Sequence, residues 1–117
     1  DLLETIIHRI LSLDPTYFYG GGYRMLGTFY IRLPGTELSK SKQYFDQAIL
    51  TFPNYLGTKV LLAQYYYTKA EDREHFHREL EEVLLADPTL TPGIMPENMY
   101  EQKIAEKLLK EESSLFE

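Results

Sequence analysis

Tyr23-Arg24-Met25-Leu26-Gly27-Thr28-Phe29-Tyr30 decides the fold. An aromatic residue, a Leu-Gly pair and a second aromatic recur at steps of three and four, which return to one face of an α-helix. Each residue type has a packing reason. Gly27 lets a second helix approach closely, while Leu26, Tyr30 and the later Phe45 fill the space between the two helices. A weaker copy follows, in which Lys59, Leu62, Ala63 and Tyr66 hold the same positions and Ala63 is the small residue.

The helices that pair with these segments are written in a second pattern. Pro15, Pro53 and Pro88 each close an amphipathic run. Reading back from each meets Ile10, Ile7 and Leu3, then Ala48, Phe45 and Ser41, then Val83, Leu80 and Phe76, in one common spacing. A proline stops one helix and can open the next. The aromatic/Leu-Gly/Tyr block within a repeat of about 34 residues resembles the tetratricopeptide signature, with Tyr in place of the usual Trp. The prolines lie 38 and 35 residues apart, so short loop insertions are expected, Pro34-Gly35 being one. The expected fold is all-α: tetratricopeptide-like hairpins stacked as an α-α superhelix. Helices are placed over about 1–12, 21–33, 37–51, 54–69, 71–86 and 96–116, the last an amphipathic cap closing the solenoid end. Residues 1–117 read as a single helical-repeat domain. Its first helix reads as the second half of a hairpin, so the chain is expected to be the C-terminal part of a longer protein.

Composition narrows the function. The 117 residues carry 18 acids against 12 bases, a formal charge of −6, which disfavours nucleic acid as a partner. With no cysteine there is no disulfide, thiolate nucleophile or Cys-based zinc site. Gly20-Gly21-Gly22 precedes a helix, but no strand comes before it and no Gly-Lys-Ser/Thr follows, so it reads as a tight helix entry and not as a phosphate cradle. His75 and His77 are two residues apart and point in different directions on a helix, which argues against a shared metal. No Ser-His-Asp order, HExxH or paired-carboxylate setting stands out, so neither an enzyme nor a cofactor is expected. Ten Tyr and six Phe with no Trp suit a half-buried lining, where the ring packs and the hydroxyl stays wet.

In a helical solenoid the first helix of each hairpin lines the concave face. The positions just after the packing residues nominate Arg24, Thr28, Ile31 and Arg32 from one hairpin and Val60, Gln64 and Tyr67 from the next. The expected ligand-binding set is Arg24, Thr28, Ile31, Val60, Gln64 and Tyr67, with Arg24 and Gln64 suited to a polar head and the rest to an apolar body. Tyr66 is expected in the packing register and Tyr67 outside it.

Tyr17-Phe18-Tyr19-Gly20-Gly21-Gly22-Tyr23-Arg24-Met25-Leu26-Gly27 resembles the GGPxRxLG stretch of the T component of tripartite ATP-independent periplasmic (TRAP) transporters. Leu33-Pro34-Gly35, the helix Tyr44 to Ile49, Pro53-Asn54-Tyr55-Leu56, and Pro96-Glu97-Asn98 through Leu109 fit the same family. Gly22 departs from it, standing where the family usually has Pro. The resemblance implies a periplasmic lipoprotein, anchored through a lipidated N-terminus not present in this chain, and often a homotrimer with a hydrophobic channel in each subunit. It implies a non-enzymatic accessory role, with the transporter's substrate-binding protein as partner and a lipid-like small molecule as cargo. The competing expectation is a generic tetratricopeptide adaptor that docks a peptide or protein in its groove.

Overall fold

A computed structural model describes residues 1–117 and contains helices and no strands. The chain packs as two compact units, Asp1–Pro53 and Asn54–Glu117. The first holds α1 (Leu2–Leu13), α2 (Gly21–Arg32) and α3 (Leu38–Thr51). The second holds α4 (Gly57–Leu61), which runs on as a π-helix over Leu62–Tyr67, then α5 (Arg73–Leu85), a 3₁₀ turn (Pro92–Ile94), α6 (Met95–Lys110) and α7 (Glu112–Leu115). All eight expected packing residues, Leu26, Gly27, Tyr30, Phe45, Ala48, Ala63, Leu80 and Val83, are buried.

In the first unit the α2–α3 hairpin closes on Gly27. A Cβ added there would lie 2.8 Å from Cδ2 of the Phe45 ring, so a glycine alone permits the ring to rest on the helix backbone. Beside it the Ser41 hydroxyl, fully buried, donates to the Gly27 carbonyl at 2.7 Å. On the other side of α2, Leu26 and Tyr30 pack with Ile7 of α1, flanked by Leu11, Phe29 and Tyr44. The Tyr30 ring stacks on Tyr44 at 5.5 Å, and Lys40 Nζ lies 4.4 Å above it. Its hydroxyl donates to Glu4 and lies 3.3 Å from His8 Nε2. Burial and this bond to a carboxylate both push the phenol's pKa well up, while the same bond holds the Glu4 carboxyl low.

In the second unit Ala63, Phe76, Leu80 and Val83 are fully buried. Its third helix supplies polar fasteners. Asn98 of α6, 1% exposed, accepts from the Leu56 amide at 3.0 Å and donates to the Asn54 carbonyl at 2.9 Å, tying down the chain where it enters α4. One turn on, Gln102 donates to the carbonyls of Val83 and Ala86 at 3.1 and 2.9 Å, satisfying acceptors that the end of α5 leaves open. Helix α5 begins on Asp72, whose side chain accepts from the His75 amide at 3.1 Å.

Candidate functional site

On α2, Arg24, Thr28 and Ile31 follow one another at steps of four and three and share a face. They are not equally accessible. Thr28 is half-buried and Ile31 is buried. Arg24 is 7% exposed, and its guanidinium donates to the carbonyls of Tyr19 and Phe18 at 2.5 and 2.6 Å. Those acceptors belong to a left-handed turn: Phe18, Tyr19 and Gly20 have φ of 45°, 54° and 82°. Two aromatic residues in that region carry a backbone cost of order 1–3 kcal/mol each unless the surroundings hold them. Arg24 does so by donating two charge-assisted hydrogen bonds to the turn. The turn leaves the Tyr17 and Phe18 side chains more than half exposed and sets Tyr19 edge-on to Phe52 at 5.5 Å. At Gly20 the positive φ favours glycine outright.

On α4 the spacing of Val60, Gln64 and Tyr67 is the same, but the π-helix changes what it means. A π turn takes one more residue than an α turn and shifts every later side chain by about 100°. Val60 is 2% exposed and Gln64 half-buried. Tyr67, expected outside the packing register, is 4% exposed and stacks on His75 at 5.4 Å. Tyr66, expected inside it, is half-buried and meets Tyr67 edge-on at 5.2 Å. The register has slipped by one residue, and the wide turn closes with the Asp72 amide donating back to the Tyr67 carbonyl at 2.9 Å. The half-buried surface of this helix is therefore Gln64, Tyr65 and Tyr66. The Tyr65-Tyr66-Tyr67 run was the one signal in the sequence for it, because three rings in a row cannot all face one core.

His75 and His77 stand on α5 with carboxylates as partners. His75 Nδ1 lies 2.7 Å from Asp72, and His77 contacts Glu81 and Glu112. The two carboxylates of His77 sit on opposite ring nitrogens and do not converge on a shared point, which is an ion-pair arrangement and not a ligand shell. No helix in the structure is long and apolar enough to cross a membrane.

A family model described as TRAP transporter T-component matches residues 1–116. A search of curated proteins returns no match.

Proposed function

The chain belongs to the TRAP transporter T-component family, and with it to a TRAP-type transport system; from that premise we propose that it is a non-enzymatic accessory protein that docks the transporter's substrate-binding protein in the periplasm. The observation that carries this reading is the family match, which runs over residues 1–116. We infer in addition an apolar or amphipathic small molecule as ligand, held on the half-buried surface that Gln64, Tyr65 and Tyr66 form in the second unit. What supports it is the pairing of a half-buried amide, Gln64, with the half-buried rings of Tyr65 and Tyr66 on a π-helix, a turn type frequent at functional sites.

The experiment is a pair of titrations on one preparation. Calorimetry with the purified substrate-binding protein of the same transport system is expected to show saturable binding, and its absence sinks the docking reading. A fluorescent fatty-acid probe is expected to bind wild type and to bind Gln64→Ala and Tyr66→Ala several-fold more weakly, at a temperature where circular dichroism shows both variants fully folded. Probe binding that both variants retain in full removes the ligand assignment and leaves docking intact. Displacement of the probe by unrelated extended peptides would favour the adaptor reading.

A further inference from the structure

Helix α7 is fastened to α5 by His77 and Arg73, and the residue after it by a ring contact. His77 Nδ1 lies 2.5 Å from Oε1 of Glu112, the first residue of α7, and His77 Nε2 contacts the carboxylate of Glu81 one turn further along α5. Glu112 also accepts from Arg73 Nε at 2.7 Å through its other oxygen. Beyond it the Phe116 ring packs edge-on against Phe76 at 5.0 Å, and Phe76 is fully buried.

An imidazole with a carboxylate oxygen at each nitrogen can satisfy both only as the imidazolium, because the neutral ring has one N–H and turns a lone pair toward the other acceptor. We propose that α7 is a pH-operated latch on α5 with His77 as its moving part: docked while the ring is protonated, and loosened when it loses a proton.

The electrostatics run the same way. The hydrogen bond that His77 donates to Glu112 contributes most to raising its pKa above the ordinary histidine value, against opposing desolvation, and the charges of Glu112 and Glu81 add to it. Burial works to raise the Glu112 carboxyl, but the bonds from Arg73 and His77 outweigh it and hold the group below its usual range. A group whose folded pKa is raised contributes fully below its ordinary pKa and loses that contribution as pH climbs through the folded value. The latch is therefore closed in mildly acidic medium and weakens as pH rises through the raised His77 pKa. A second, acid limit lies where Glu112 takes up its proton. Arg73 keeps its bond to Glu112 whichever form His77 takes, so loosening on the alkaline side is graded.

The other charged groups near His77 have ion-pair partners of their own. On α5, Arg78 is paired with Glu74 at 2.8 Å. Glu82 is paired with Lys59 of α4 at 3.1 Å. From α6, Gln102 meets the end of α5 with an uncharged amide. His75 points to a different partner, Asp72 at the start of its own helix.

The test is a proton NMR titration of the full chain, following the His77 ring signals and the Phe116–Phe76 ring-to-ring Overhauser effects together. Wild type is expected to show strong cross-peaks at about pH 6 that fall several-fold with the same midpoint as His77 deprotonation. His77→Gln should show the weakened cross-peaks at both ends of the range, and His75→Gln should behave as wild type. Cross-peaks that stay constant through the His77 titration overturn the latch. A pH step that survives in His77→Gln, or vanishes in His75→Gln, overturns the role of His77.

Discussion

The two units of this chain each pack consecutive helices around a small residue and close them differently. In residues 1–53 the approach is made by subtraction: Gly27 has no side chain, and the Phe45 ring lies where a Cβ would be. In residues 54–117 the equivalent position keeps a methyl group, Ala63, the helix opens into a π turn, and a third helix reaches in with Asn98 and Gln102. A repeat pattern thus specifies which positions meet without specifying how closely. In the first unit one missing side chain admits the Phe45 ring, and in the second Asn98 and Gln102 bond the backbone at the ends of the pair.

The sharpest way to break this comparison is at the wide turn. Tyr67→Ala is expected to cost about 3 kcal/mol in chemical denaturation, because it deletes a ring that is 4% exposed and stacked on His75. Tyr66→Ala, at a half-buried position, should cost about 1 kcal/mol. If the two values came out in the opposite order, α4 would be an ordinary α-helix and the register slip would be absent. Asn98→Ala comes next, at about 2–3 kcal/mol, since it leaves the Leu56 amide and the Asn54 carbonyl without their partner.

The first unit should respond to added volume instead. Gly27→Ala sets a methyl 2.8–2.9 Å from three atoms of the Phe45 ring, an overpacking cost of about 1–3 kcal/mol. Better helix propensity returns up to about 1 kcal/mol, so a net loss of about 1–2 kcal/mol is expected in thermal or urea melts. A neutral outcome would mean that Phe45 has room to move aside, and the contrast with Ala63 would lose its basis. The smallest effect belongs to Ser41→Ala, about 1 kcal/mol for one buried hydroxyl bond to the Gly27 carbonyl.

What could be read from the sequence follows the reach of each signal. Leu26, Tyr30, Phe45, Leu80 and Val83 declared themselves because helical periodicity is local and repeats. Gly27 declared itself because its neighbours made a known pattern. The exchange of Tyr66 for Tyr67 did not, since a single inserted residue in one turn leaves the composition of the helix unchanged. Arg24 was visible as a charged residue on an otherwise apolar face, and a polar ligand group was the natural partner to expect. The structure supplies the Phe18 and Tyr19 carbonyls, which a left-handed turn presents to it. Glu112 and His77 are 35 positions apart, and Gln102 and Val83 are 19 apart, so nothing in either neighbourhood announced the other.

The fastening of α4 by Asn98 has a consequence for time as well as for energy. Its two bonds join residues 42 and 44 positions apart, so they form only after a loop of that length has closed. The nearer pairing of α4 with α5 can come first, which places the Asn98 bonds on the late side of the folding barrier with φ-values near zero. Stopped-flow measurements on Asn98→Ala should then show an unfolding limb that moves up and a folding limb that barely shifts. For the second unit, Asn98 governs how long the folded state lasts far more than how fast it is reached.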